Sequence, residues 1–160
     1  MEQLINQIDS YIAGMELIAK AVAEDELILE ILESPTSSSP HSLDRIQEKL
    51  AGYITVREDI SDILIVGPDS LFISSDKNAR MNPANPVFKK SWYKEAIRFP
   101  DQTIVTNSYV QNIFKGKYSW VVSLYRSINS SKDGRSLGVL LVDLKFNRIK
   151  QLCQSLASGE

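Results

Sequence analysis

The chain has 160 residues, of which 43% are hydrophobic and 24% charged, so we expect one domain with a real hydrophobic core. Its 18 basic and 20 acidic residues give a formal net charge of −2, which argues against a nucleic-acid-binding surface and against a polybasic membrane anchor. One cysteine, Cys153, and one histidine, His41, exclude an internal disulfide and a structural zinc site. No apolar run approaches the ~18 residues that span a membrane.

The start of the sequence predicts one long amphipathic helix. Apolar side chains recur at steps of four and three from Leu4 to Val22, and the pattern extends to about Glu33. A helix of about 30 residues is about 45 Å long, which is more than a small domain needs for packing. We therefore expect either a stalk or dimer contact, or a helix that lies along its own domain.

A loop and a second helix follow. The segment Ser34–Pro40 contains two prolines and four serines, which predicts a loop, and we expect His41 to lie in that loop. Ser42 is the predicted N-cap of the second helix, which should end near Arg57.

A hairpin and a short helix come next. Residues 60–66 and 71–74 are predicted strands around a turn, with Pro68 at the first corner. After a polar loop, residues 88–99 have helical spacing, with Trp92, Ala96 and Phe99 on one side.

Three more strands are predicted at residues 103–109, 118–128 and 136–144, before a helix at 146–156. In the long strand, alternation places Ser123 and Tyr125 on a small, polar face that leaves room for ligand or water. The other face is bulky and should pack on helices. It comprises Tyr118, Trp120, Val122, Leu124, Arg126 and Ile128. The buried side of the final helix comprises Ile149, Leu152 and Leu156. Five antiparallel strands with helices packed on them make an α+β fold.

Four segments together resemble the Cache family of extracellular sensors. They are DILIVGPDSLFISSD, KKSWYKEAI, YSWVVSLYRSI and GVLLVDL. The resemblance is greatest to the domains of bacterial sensor histidine kinases, and its most specific pieces are the pair Trp92–Tyr93 and the strand GVLLVDL. It implies a PAS-like five-stranded antiparallel sheet flanked by helices, with a long N-terminal helix. It divides the chain into residues 1–58, the two leading helices, and residues 59–160, the sensor module. We expect an excised distal module of a two-module sensor, and a single-module sensor is the alternative.

The resemblance also implies ligand-binding residues. Family members that bind amino acids hold the carboxylate with an arginine and with a tryptophan two residues later. They hold the amine with a strand tyrosine and with an aspartate on the last strand. The matching positions here are Lys90, Trp92, Tyr109 and Asp143, with Tyr93 beside the tryptophan.

Three positions depart from that pattern. Lys90 replaces the arginine and cannot form its bidentate fork. Gln111 stands where a second acidic residue is common, and Asn85 stands where a tyrosine is common. A sugar or another organic acid therefore fits this site as well as an amino acid does.

Tyr125 and Arg126 are further candidates for the site. Arg126 is expected to pair with Asp143 or with Asp62 inside the domain.

The main candidates have ordinary structural roles as well. Trp92, Tyr93 and Tyr109 also suit a hydrophobic core, and Lys90 suits a solvated helix surface. Asp143 interrupts an apolar strand, and a buried carboxylate needs a partner. Ligand contact, capping of the following helix and simple exposure are the alternatives for Asp143.

The expected function is that of an extracellular ligand-sensing domain in a membrane-bound sensor histidine kinase. A small polar metabolite would bind, the N-terminal helix would transmit occupancy, and that helix would also form a homodimer. No cofactor and no catalytic activity are expected, because no phosphate loop, nucleophile elbow or metal cluster is present. The alternatives are a ligand-free spacer, dimerisation or docking module, the sensor of a chemoreceptor or cyclic-dinucleotide enzyme, and an intracellular PAS-like or profilin-like adaptor.

Overall fold

The computed structural model describes residues 2–34 and 39–157. Of the predicted loop at 34–40, residues 35–38 therefore lie outside the described part. The helices are α1 (Glu2–Ala23), α2 (Glu26–Glu33), α3 (Pro40–Val56), α4 (Ser91–Arg98) and α5 (Phe146–Ala157), and a short 3₁₀ helix, Val87–Lys89, precedes α4. The strands are β1 (Ile60–Gly67), β2 (Leu71–Ser74), β3 (Ile104–Val105), β4 (Tyr109–Gln111), β5 (Ser119–Asn129) and β6 (Ser136–Lys145).

The strands form one antiparallel sheet in the order β2, β1, β6, β5, with β3 and β4 one after the other along the outer edge of β5. The sheet is thus five strands wide, and the predicted α+β class is confirmed. The strand predicted at 103–109 is interrupted between Val105 and Tyr109. There the Thr106 backbone N–H still donates to the Ser123 carbonyl at 2.9 Å, but the Ser123 N–H donates to the Thr106 hydroxyl at 2.9 Å, so a side chain replaces one of the two backbone acceptors.

One face of the sheet, called here the helical face, packs on α1, α2 and α3. The strands contribute alternate apolar residues such as Ile63, Leu124 and Leu140, as the period of two requires. The helices contribute a matching set, with Met15, Ala19, Val22, Ile28, Ile31, Ile46 and Leu50 all buried. The leading helices and the sheet therefore share one hydrophobic core, while the division into residues 1–58 and 59–160 stays a prediction.

The predicted single leading helix is wrong, because it is divided into α1 and α2. Asp25 adopts an extended conformation between them, and its carboxylate accepts a hydrogen bond from the Ile28 backbone N–H at 3.1 Å. An aspartate that caps a new helix competes with continuation of the old one. The C-terminal half of α1 is core. Among the side chains described in residues 2–10, Ile8 alone is partly buried.

The start of α3 also differs from the prediction. Ser39, and not Ser42, is the N-cap, and its hydroxyl accepts from the Ser42 backbone N–H at 3.3 Å. Pro40 occupies the first turn, where its missing N–H costs nothing. His41 consequently lies in the first turn of α3 and not in a loop.

The hairpin between β1 and β2 forms as predicted, but Pro68 is not at a corner. Asp69 and Ser70 occupy the two corners with φ of 60° and 62°, and the Leu71 N–H donates to the Pro68 carbonyl at 3.3 Å. Two left-handed corner residues suit the right-handed twist of the strands.

Two aromatic side chains of the bulky face predicted to pack on helices are exposed, as is Phe99, which directly follows the last residue of α4. Tyr118 precedes β5 and is 64% exposed, Trp120 is 56% exposed and Phe99 is 38% exposed. Tyr118 and Trp120 lie where β5 begins and α5 has only begun, and Trp120 stacks on Phe146 with ring centroids 4.3 Å apart. In α5, Ile149 and Leu152 are half-buried, and the side chain of Leu156 lies outside the described set.

Within residues 2–34 and 39–157, none of the helices combines the length with the apolar composition needed to cross a bilayer.

Gly138 provides a test of how closely β6 approaches β1. A Cβ atom at this position would lie 2.6 Å from the Val66 carbonyl oxygen, whereas a Cβ atom at Gly52 in α3 would meet nothing within 4 Å. We expect Gly138→Ala to lower the free energy of unfolding by about 1–3 kcal/mol, because the backbones must separate. The matched control Gly52→Ala should raise it by up to about 1 kcal/mol. Urea unfolding measures both, and equal effects would contradict the close approach.

Candidate functional site

The second face of the sheet, called here the α4 face, is covered by α4 and the segment around Phe114. Leu64 of β1 and Leu141 of β6 pack there against Trp92 and Ala96. These two α4 residues are buried because positions four apart lie on the same side of a helix. The predicted burial of Trp92 and Ala96 is confirmed.

Aromatic rings connect α4 to the sheet. The centroid of the Trp92 ring lies 5.9 Å from that of Tyr125 and 6.3 Å from that of Tyr93. The ring centroids of Tyr93 and Phe88 are 5.3 Å apart. Trp92 is 7% exposed, and its indole Nε1 has no hydrogen-bond partner among the described residues. A buried N–H without an acceptor costs about 1–3 kcal/mol. This donor is therefore an unsatisfied buried group on the α4 face.

Four side chains from three strands form the polar part of the α4 face, called here the Asp143 cluster: Tyr109, Gln111, Ser123 and Asp143. The Ser123 hydroxyl donates to Asp143 Oδ1, which leaves its oxygen to accept from the Tyr109 hydroxyl at 2.6 Å. Gln111 Nε2 donates to Tyr109 Oη at 2.8 Å and to the two Asp143 oxygens at 3.3 and 3.1 Å. The carboxylate is thus enclosed by hydroxyl and amide donors.

Burial dominates the electrostatics of Asp143. Its side chain is enclosed, and burial raises the pKa of the carboxyl to about 7, although the bonds from Ser123 and Gln111 act to lower it. Asp62 lies directly opposite in the β1–β6 register, and its charge raises this pKa further. Lys117 Nζ lies 2.7 Å from Asp62 Oδ2, so Asp62 has a counterion of its own. Asp143 is left as the group that can change charge near neutral pH.

The remaining predicted site residues lie close to this cluster but have partners in the protein. Lys90 Nζ donates to Asn112 Oδ1 at 2.7 Å, beside Gln111 in sequence. The Tyr125 hydroxyl donates to Glu95 Oε2 at 2.6 Å. Burial and the neighbouring Glu95 raise the pKa of Tyr125, and burial and Asp143 raise that of Tyr109. Both phenols therefore stay neutral donors.

The structure brings together Lys90, Trp92, Tyr93, Tyr109, Gln111, Tyr125 and Asp143 on or beside the α4 face. Their part in ligand binding stays a prediction.

Two expectations about single residues are wrong. Arg126 pairs with neither Asp143 nor Asp62, because it projects from the helical face, and its Nη1 donates to Thr103 Oγ1 at 3.0 Å. Asp143 does not cap α5, which begins at Phe146, since its oxygens accept from Ser123 and Gln111 instead.

Sequence reasoning missed two features of the site. Ser123 is a member of the cluster, and its place on the polar face of β5 was the signal that could have identified it. The pair Asp62–Lys117 joins residues 55 positions apart, for which the sequence has no local signal.

The arrangement can donate hydrogen bonds to a ligand, accept one proton at Asp143 and stack on an aromatic ring. Among residues 2–34 and 39–157, no group of three or more His, Cys, Asp or Glu side chains is placed to hold a metal ion.

Removal of the Asp143 carboxylate should change how stability depends on pH. The folded chain holds this proton up to about pH 7, whereas the ordinary value is 3.8. The folding equilibrium constant should therefore fall by up to about tenfold per pH unit between pH 4 and 7 as the unfolded chain ionises first. Asp143→Asn abolishes this contribution, so its stability relative to wild type should rise across that range.

Urea unfolding at a series of pH values measures the difference. Asp44→Asn, a substitution of an exposed carboxylate on α3, is the control and should follow the wild-type curve. Parallel curves for wild type and Asp143→Asn would show that Asp143 ionises normally in the fold.

The sequence matches no protein-family model and no curated protein. Solved structures are similar. The ligand-binding domain of the Pseudomonas fluorescens chemoreceptor CtaA, in complex with L-alanine, has a TM-score of 0.72 at 17% identity over 96% of this chain. The ligand-binding domain of the Pseudomonas aeruginosa amino acid chemoreceptor PctC, in complex with GABA, has a TM-score of 0.71 at 16% identity over 95% of this chain. The ligand-binding domain of the Campylobacter jejuni chemoreceptor Tlp3, in complex with L-valine, has a TM-score of 0.69 at 20% identity over 95% of this chain.

This chain covers 60% of the CtaA domain and 63% of each of the other two. Sequence identity is low throughout, so the similarity establishes the fold and leaves the ligand and the output of this chain open. The predicted PAS-like fold is confirmed, and the chain has the architecture of the ligand-binding domains of bacterial chemoreceptors.

Proposed function

We propose that this chain is the extracellular ligand-sensing domain of a membrane-bound bacterial signalling receptor. A small polar metabolite binds on the α4 face between Trp92 and Asp143. The observation that carries the proposal is the Asp143 cluster, a buried carboxylate ringed by Tyr109, Gln111 and Ser123 on the same face as Trp92. Burying polar groups of this kind costs free energy unless they are hydrogen-bonded, and ionisable groups with shifted pKa values are common at functional sites.

The unpaired indole N–H of Trp92 supports a ligand that carries an acceptor. Because this atom is buried, ligand entry has to displace part of the segment that carries α4. A carboxylate, amide or sugar oxygen would satisfy the N–H. At the other end of the site, Asp143 would accept from an ammonium or hydroxyl group of the ligand.

The ligand class follows from the charges. The three similar domains are described in complexes with L-alanine, GABA and L-valine, which supports a ligand of amino acid size. Lys90 and Gln111 offer one ammonium group, hydrogen-bonded to Asn112, and one neutral amide where the resemblance implies an arginine and an acid. We therefore propose a small polar metabolite, namely an amino acid, an organic acid or a sugar.

Strand β5 provides a route from the site to the leading helix. Ser123 and Tyr125 face the site, while Leu124 and Ile128 pack on the helical face with α1. A shift of β5 on ligand binding would therefore displace α1. We propose that α1 transmits ligand occupancy in this way. Ile5 is an exposed apolar residue near the start of α1, which supports a homodimer contact there.

For the output we propose a sensor histidine kinase, with a chemoreceptor as the alternative favoured by the similar structures. The full-length gene decides between them. Flanking apolar segments of ~20 residues followed by a kinase core would support the first, and a chemoreceptor signalling domain would support the second.

A ligand-free spacer or dimerisation module is the second candidate, and one observation favours it. The Asp143 oxygens already accept hydrogen bonds from Ser123 and Gln111, so the carboxylate is satisfied within the protein.

A thermal-shift screen of amino acids, organic acids and sugars tests the proposal. We expect at least one compound to raise the melting temperature, and Trp92→Phe, which keeps an aromatic ring but removes the N–H, to weaken its binding about tenfold. Trp120→Phe is the matched control, because Trp120 is exposed and stacks on Phe146 at the end of the sheet. Its affinity should equal that of wild type.

Two outcomes would count against the site. If Trp92→Phe and Asp143→Asn both bind the compound with wild-type affinity, the ligand binds elsewhere. A panel in which no compound stabilises the protein would favour the ligand-free module.

A further inference from the structure

Arg126 is a buried cation whose hydrogen bonding is incomplete. It lies on β5 between Leu124 and Ile128, on the helical face, and is 9% exposed. Its Nη1 donates to Thr103 Oγ1 at 3.0 Å, but its Nε is buried and has no partner among the described residues. None of the ion pairs formed within the described chain includes Arg126. A buried charge without a counterion is costly.

Arg126 borders an open groove between α1 and the segment before β3. This groove, called here the arginine groove, has a volume of about 430 Å³. Leu17 and Lys20 of α1 line one side, and Asp101 and Thr103 line the other. Lys20 and Asp101 are exposed, so Arg126 is the buried member of the set. The groove lies on the face opposite the Asp143 cluster and is independent of it.

We propose that the arginine groove binds a compact oxyanion, a carboxylate or phosphate, between the guanidinium of Arg126 and the ammonium of Lys20. The bond to Thr103 occupies Nη1 and leaves the edge formed by Nε and Nη2 without a protein partner among the described residues. Because Nε is enclosed in this structure, the anion has to displace the groove wall that covers it. That edge presents two parallel N–H donors, the geometry that carboxylate and phosphate oxygens accept. The groove is open and is large enough for either anion.

Two carboxylates in the groove offset the positive charge of Lys20 and Arg126. Glu16 and Asp101 also line the groove, so its formal charge is balanced by Lys20 and Arg126 when it is empty. An anion must overcome the repulsion from these acids, and removal of one acid should tighten binding. This gives the test a variant with an effect opposite in sign to the loss of a cation.

Binding would join two elements. Lys20 belongs to α1 and Arg126 to β5, so an anion between them holds the leading helix against the sheet. An anion that binds the folded chain stabilises it by mass action, so binding at this second site should raise the melting temperature.

NMR of arginine side chains provides the direct measurement. Protein labelled with ¹⁵N is titrated at pH 7.5 with sodium phosphate, or with sodium malonate as a carboxylate probe, and with sodium chloride at matched ionic strength. The Nε–H signal of Arg126 is assigned by its loss in Arg126→Lys. We expect it to shift saturably with phosphate or malonate and not with chloride. The probe that saturates at lower concentration identifies the kind of oxyanion.

Variants distinguish a binding site from a general salt effect. Arg126→Lys, followed by thermal shift, should weaken binding about tenfold, because the fork is lost. Lys20→Ala should weaken it about threefold, and Asp101→Asn should tighten it. Lys94→Ala, at an exposed lysine on α4, should leave the affinity unchanged.

Two results would overturn the proposal. One is an Arg126 Nε–H signal that does not saturate with either probe. The other is an Asp101→Asn variant that is less stable and shows no gain in affinity, since Asp101 would then be the partner of Arg126 in solution. Neither result bears on the Trp92–Asp143 site, whose ligand response is measured separately.

Discussion

The enclosure of one carboxylate in the centre of the sheet constrains most of this structure. Asp143 lies in β6 between β1 and β5, and it is almost fully buried. A charged group in this position must be surrounded by donors, or else protonated. The chain supplies both solutions, since Ser123 and Gln111 donate to the carboxylate and burial raises its pKa to about 7. β4 supplies one of these donors through Gln111 and β5 the other through Ser123.

The sheet separates two environments that share the same strands. On the helical face, β5 and β6 contribute aliphatic side chains to a continuous core with α1, α2 and α3. On the α4 face, the same strands contribute hydroxyl, amide and carboxylate groups beside an aromatic cluster. A close-packed core transmits displacement, so the polar groups and the leading helix are mechanically connected through the strands between them.

Local periodicity made much of the fold predictable. The alternation along β5 identified the faces of Ser123 and Tyr125 correctly, because side-chain direction in a strand depends only on parity. The break at Asp25 was not predictable from spacing, since a polar residue there also suits the exposed side of a continuous helix. The contact between Asp62 and Lys117 spans 55 positions and depends on how the turn after β4 folds back. Arg126 was assigned to the correct face of its strand but to the wrong partners, because no single sequence pattern identifies Thr103 as its neighbour.

The capping of α2 by Asp25 has a mechanical consequence. It limits α1 to 22 residues, about 33 Å, and the burial of Met15, Ala19 and Val22 fixes only the second half of that length. The preceding residues 2–10, called here the arm of α1, extend the helix by about 13 Å, and of their described side chains only Ile8 is partly buried. A tilt of about 5° at the fixed half displaces the tip of this arm by about 1 Å, by simple geometry from the helical rise. If α1 transmits occupancy as proposed, a small tilt where it packs on β5 would therefore be enlarged along this arm.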